Sequence, residues 1–156
     1  MRIQDYMADR LLGIGQFVAY WMETTSPEHR EWLPPIPGSA MTRTVVDFLA
    51  EFIAVNRIVL AGFGQGTAPE GHPMHAARTF STLEEGLAEF QATLAGVAAC
   101  YRAMSDEDLE REHTFAGRAL RGTDVLEIPY RNLCYHGGQI NLIQLLGGDA
   151  EMHRPK

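Results

Sequence analysis

Cysteine is scarce in this chain. Cys100 and Cys134 are the only two, with 33 residues between them. That spacing makes neither a zinc pattern nor a disulfide framework, and both read as reduced thiols of a cytoplasmic protein. Long hydrophobic runs are missing as well. Charges interrupt every apolar stretch before the roughly 20 residues that a membrane span needs, so no membrane partner is expected. The opening MRIQDYMADR carries acids where a signal peptide has its apolar core, so no export is expected. Basic charge is also in short supply. Thirteen Lys and Arg face twenty Asp and Glu, for a formal charge of -7. The arginines are scattered, and a net acidic surface repels phosphate, which excludes nucleic acid as a partner. There is no internal repeat, no low-complexity tail and no alternating run longer than a few residues, so strand content close to zero is expected.

What is present is an ordinary globular composition. The chain has 156 residues, 46% hydrophobic and 21% charged, enough for one domain spanning 1–156 with its own core. Four stretches have helical periodicity. The first runs from about Ile3 to Thr24, with Leu11, Leu12, Ile14, Phe17, Val18 and Trp21 at helical spacings, and Ser26-Pro27 ends it. Four prolines between Pro27 and Pro37 then forbid a continuous helix. Thr42 or Thr44 caps a second helix that reaches about Leu60, followed by the Gly/Pro-rich loop GFGQGTAPEGHPMHAAR. STLEE starts a third helix near Ser81 or Thr82, with acids at the positive end of the dipole, and it continues to about Met104. A polar connector with a short helical turn at Ser105–Leu109 leads to a fourth helix, which starts at about Asp124 or Pro129 and ends at Leu146 before Gly147-Gly148. Four amphipathic helices of roughly 20 residues make an all-α four-helix bundle the default architecture.

Polar residues on otherwise apolar faces mark the candidate chemistry. Glu51 has Phe48, Val55 and Ile58 at helical offsets. A carboxylate in such a stripe must be paired, neutralised or metal-bound. It either binds an ion or pairs with an arginine such as Arg43. On the fourth helix His136 has Leu133, Ile140 and Ile143 at the same offsets, with Asn132 one turn before it and Gln139 nearly one turn after. Gly137 and Gly138 follow it directly. Each costs roughly 0.5–1 kcal/mol relative to alanine inside a helix, so the pair points to close approach by another helix or a ligand.

The stretch YRNLCYHGGQINLIQLLGG resembles the last helix of the DinB-like family, whose pattern is His, three residues, His, a basic or small residue, Gly, Gln, apolar residues and a closing Gly. His136-Gly137-Gly138-Gln139 matches its second half. GSAMTRTVVDFLAEFIAVNRIVL resembles the family's second helix, and STLEEGLAEFQATLAGVAACYRAMSDEDLERE its third helix and exit. The resemblance implies a bundle in up-down-down-up order, with Gly62–Ser81 as a long crossover between helices 2 and 3, and a homodimer for which Phe17, Trp21 and Leu142 are interface candidates. It also implies a divalent metal (Zn, Ni, Mn or Fe) held by three histidines, in thiol transferases and related enzymes that act on a small-molecule thiol or electrophile. Here Glu51 stands at the second-helix histidine position and Asn132 at the first fourth-helix one, while His136 is kept. Glu51, Asn132 and His136 are therefore the metal ligands that the resemblance implies. A carboxylate and an imidazole suit a hard or borderline ion, with an amide oxygen as a weak third ligand.

The residues leave two readings open. One is a metal-dependent transferase or hydrolase with this divergent site. The other is a non-catalytic, metal-free dimeric bundle that binds a small ligand or merely stabilises itself, with Glu51 and His136 as an ion pair or acid–base pair. His72 and His75 sit in a Gly/Pro loop and read as solvated. His113 and His153 fall in polar segments without a role. Cys134 lies about 160° around the helix from His136, too far for a Cys–His pair, and Cys100 reads as core.

Overall fold

A computed structural model of the protein describes residues 1–35, 43–115 and 117–155. In chain order the elements are α1 (Ile3–Thr24), the short α2 (Pro27–Arg30), α3 (Val45–Gly62), a 3-10 turn (Pro73–His75), α4 (Leu83–Ala103), the short α5 (Asp106–Glu110), β1 (Glu112–Phe115), β2 (Arg118–Arg121) and α6 (Gly122–Leu146). Helix starts follow local chemistry. Thr44 accepts a hydrogen bond from the Asp47 amide while Asp47 accepts one from the Thr44 amide. Thr82 with Glu85 and Ser105 with Asp108 form the same reciprocal box. Each cap satisfies amides that a helix start leaves unpaired. Thr42, the other expected cap of α3, lies outside the described residues.

The four long helices share one core, with Leu11, Val18, Leu49, Phe52, Phe90, Val97, Leu126, Leu133 and Ile140 all nearly or wholly buried. The start of α1 meets the end of α4, where Gln4 donates to the Met104 carbonyl (3.3 Å) and Arg102 pairs with Asp9 (2.6 Å). Along α3 and α4, Leu49 sits beside Gly86 and Asn56 donates to Thr93 (3.2 Å). On the other side, Arg10 of α1 pairs with Tyr130 of α6, and Gln144 donates to Thr24 (3.2 Å).

Two sequence expectations need correction. First, α6 begins at Gly122, two residues before the earlier of its two expected starts, so Pro129 lies inside the helix and is not its boundary. Proline has no N–H to give the Val125 carbonyl four residues back. The hydroxyl of fully buried Tyr101 on α4 donates to that carbonyl instead (2.9 Å), so a tertiary contact repairs the defect. Second, strand content is not near zero. Strands β1 and β2 pair as an antiparallel hairpin, with Glu112 opposite Arg121 and Phe115 opposite Arg118. Gly117 takes the positive φ (77°) that its turn requires. Four-residue strands are too short for alternation to stand out. The hairpin is held by Phe115, which is buried against Gly62, where even a Cβ would lie 2.9 Å from the ring.

The two adjacent glycines of α6 behave differently. A Cβ on Gly137 would come within 2.8 Å of the Trp21 ring and 3.2 Å of Val18, so α1 approaches closely there. A Cβ on Gly138 would meet nothing within 4 Å. Gly137→Ala is therefore expected to cost about 1 kcal/mol through overpacking against Trp21. Gly138→Ala should stabilise by up to about 1 kcal/mol through helix propensity. Urea denaturation of both variants checks this, and equal effects of one sign would contradict the packing. Of the residues expected at a dimer interface, Phe17 and Leu142 stand exposed. Trp21 is half-buried, and its indole N–H donates to the His153 carbonyl (2.9 Å).

Candidate functional site

The Thr44–Asp47 box fixes where α3 starts, and Glu51 follows it by about two turns on the face toward α6. His136 comes from the facing turns of α6. Both side chains are buried, each 6% exposed as a residue. One Glu51 oxygen, Oε1, accepts from Asn132 Nδ2 (2.9 Å) and lies 3.2 Å from His136 Nε2. The other, Oε2, forms a salt bridge with Arg43, which precedes the α3 cap and lays its guanidinium over the Phe48 ring, 4.7 Å from the centroid. Glu51, Asn132 and His136 are thus brought together, and Glu51 pairs with Arg43, one of the alternatives its sequence left open.

His136 occupies an aromatic slot. Its ring stacks on Phe48 (4.8 Å between centroids, 23° between planes) and meets Tyr135 edge-on (4.9 Å). Nδ1 faces the Gln139 side-chain oxygen. The Gln139 oxygen and Glu51 Oε1 thus stand opposite the two ring nitrogens. Burial pushes the Glu51 carboxyl up, but hydrogen bonds from His136 and Arg43, with their charges, outweigh it and hold the group at about 2. Glu51 is therefore an ionised, fully engaged carboxylate. Among the described residues, no group of three or more His, Cys, Asp and Glu side chains is placed to hold a metal ion.

Next to this centre opens a cleft of about 530 Å³, larger than the hollow between α1 and α6 at Tyr6, Arg10 and Tyr130 (about 330 Å³). Glu51 and Asn132 line its polar part. Val55 and Ile58 of α3, Ile128 of α6, and Phe115 and Leu120 of the hairpin supply apolar walls, with His72 and Arg118 exposed at the edge. Asn132 Oδ1 is buried and, among the described residues, has no hydrogen-bond partner. The amide cannot be reversed to rescue it, because its N–H faces the Glu51 carboxylate. Arg78 pins the α3–α4 connection to the start of α3, donating to Asp47 (2.8 Å), and also donates to both Glu31 oxygens (2.7 and 2.8 Å).

Sequence reading missed the hairpin's share of the cleft and treated His72 as merely solvated. His72 is indeed exposed, yet it lines the cleft, while its Nδ1 accepts from the Met74 amide (3.2 Å). The Gly/Pro-rich loop carried no signal for this, since it reaches the site only through tertiary folding. His113 and His153 make local contacts with the Asp108 carbonyl and the Asp149 side chain. Cys134 is exposed whereas His136 is buried, so they do not form a pair, and Cys100 is buried.

Helices α1, α3, α4 and α6 around an inward polar centre place the chain in the DinB-like fold. A crystal structure of a DinB-like protein from Bacillus cereus superimposes with a TM-score of 0.64, covering 92% of this chain and 90% of that one, at 15% sequence identity. No family model and no curated protein matches the sequence. Among the described residues, no helix is long and apolar enough to cross a membrane.

Proposed function

We propose that this protein binds a small organic molecule in the cleft beside Glu51 and Asn132, and that its polar centre works without a bound metal. The cleft carries the reading. Its volume of about 530 Å³ lies within the roughly 300–1,000 Å³ usual for small-ligand sites, and apolar walls converge on a few fixed polar groups. The unpaired Asn132 oxygen favours a ligand that brings an N–H or O–H donor to that end, since a buried acceptor left alone costs about 1–3 kcal/mol. Arg118 and His72 at the edge suit a ligand with an anionic tail.

One observation favours a second reading, a transferase or hydrolase acting on a small thiol or electrophile: Asn132 and His136 both converge on Glu51 Oε1. In that case the Glu51–His136 pair moves the proton and Asn132 orients the carboxylate. The up-down-down-up order with a Gly62–Ser81 crossover is part of the same proposal. It is supported by the start of α1 meeting the end of α4, by the start of α3 lying beside the start of α4, and by the end of α1 meeting the end of α6. The exposure of Phe17 and Leu142 is consistent with a homodimer.

The test is amide chemical-shift mapping with N-acetylcysteine, indole-3-acetate and benzylamine as thiol, carboxylate and amine probes. Shifts are expected to cluster at Glu51, Val55, Ile58, Leu120 and Asn132. They should vanish in Ile128→Trp, which fills the cleft from a half-buried position. If no probe moves those amides, or if the shifts persist in Ile128→Trp, the cleft is not the binding site.

A further inference from the structure

Glu51 needs a cation, and the chain supplies one. Arg43 Nη1 pairs with Glu51 Oε2 and donates to the Met74 carbonyl of the crossover (3.3 Å). Nη2 lies 3.4 Å from His136 Nδ1 and 3.3 Å from Nε2. A donor nearly equidistant from both ring nitrogens lies over the face of the imidazole and not in its plane. One guanidinium thus touches Glu51, His136, Phe48 and the crossover together. The ion pair is well buried, with the Arg43 and Glu51 side chains 13% and 7% exposed.

We infer that Arg43 is the resident cation of this centre, taking the place that a divalent ion would occupy among Glu51, Asn132 and His136 and thereby excluding one. The donor atoms agree. Glu51 Oε2 is committed to Arg43. Oε1 already faces two nitrogens, and Asn132 offers Glu51 its N–H, which no metal ion accepts. A divalent ion entering here would sit against a buried guanidinium that cannot lose its charge, and like charges at contact distance in a low-dielectric pocket repel strongly. Arg43 also neutralises Glu51, so the polar end of the cleft presents hydrogen-bonding groups and no bare negative charge. This role for Arg43 does not depend on what the cleft binds.

Elemental analysis and zinc calorimetry of the whole protein, Arg43→Met, Arg43→Lys and Arg43→Met/His136→Ala test the assignment. Wild type and Arg43→Lys are expected to take up no stoichiometric zinc at the centre. Arg43→Met should bind one equivalent about a hundredfold tighter than wild type, because breaking the pair leaves Glu51 buried without a counter-ion. The added substitution His136→Ala should abolish that gain. The inference is overturned if the wild-type protein holds one equivalent of metal that His136→Ala removes, or if Arg43→Met binds zinc no more tightly than wild type. Should Arg43→Met fail to fold, the ring 1H–15N signals of His136 in wild type give the answer. Those signals are expected to stay in place when one equivalent of zinc is added, whatever exposed His72 and His75 do. A shift at His136 would show that a metal displaces Arg43.

Discussion

Glu51→Ala is expected to lower the unfolding free energy by about 3–5 kcal/mol, because it strands the Arg43 guanidinium in a site from which water is largely excluded. The same substitution removes the acceptor of Asn132 and of His136 Nε2, leaving further buried polar atoms unpaired. Replacing both partners with apolar residues of similar size, as in Arg43→Met/Glu51→Leu, should recover much of the loss, since desolvating two charges offsets much of their attraction. Urea unfolding of the two singles and the double measures the coupling. A loss below about 1 kcal/mol in Glu51→Ala would mean that the pair behaves as a solvated surface bridge. The pH dependence provides a second readout. The Glu51 carboxyl is held at about 2, below its ordinary 4.5, by His136 and Arg43 acting against burial. A depressed carboxyl stabilises the fold fully above its unfolded value and loses that contribution as the pH falls through the folded one. Wild type should therefore lose stability as the pH drops from about 4.5 toward 2. Glu51→Gln should lack that part of the acid sensitivity.

Tyr101→Phe is expected to cost about 2 kcal/mol, although it removes a single oxygen. The hydroxyl is the partner of the Val125 carbonyl, which Pro129 cannot serve, and Tyr101 is wholly buried. Burial pushes its phenol well above the usual range, so the group remains a donor throughout ordinary conditions. Pro129→Ala restores an N–H four residues after Val125. In that background Tyr101→Phe should cost distinctly less, so that the double-mutant cycle gives a non-zero coupling between residues that share only one carbonyl. Strict additivity would show that the carbonyl finds another partner.

The sequence carried this helical frame because its signals are local. Thr44 and Thr82 cap their own helices through residues three positions on, and Leu11, Val18, Phe52, Phe90 and Ile140 lie on stripes with a period of one helical turn. The inward faces of Glu51 and His136 were readable for the same reason, since apolar neighbours at three, four and seven residues define a buried side. Arg43 was readable only as one partner among several. It lies eight positions before Glu51, and nothing local states that its side chain folds back across Phe48. Pro129 was one of the two expected starts of α6 because proline is a helix boundary by local rules. Those rules contain no term for a tyrosine 28 positions earlier that repairs the missing hydrogen bond.

Sequence alone therefore determined the number of long helices, the capped starts of α3 and α4, the buried faces and the two residues at the polar centre. All of these depend on contacts within a few turns. Tertiary structure alone decided which atom of Asn132 faces Glu51, which cation neutralises that carboxylate, and that Phe115 and Leu120 of the hairpin form a wall of the cleft. Those outcomes are set by the competition of distant groups for the same buried space and the same lone pairs, and the identity of each residue leaves that competition open.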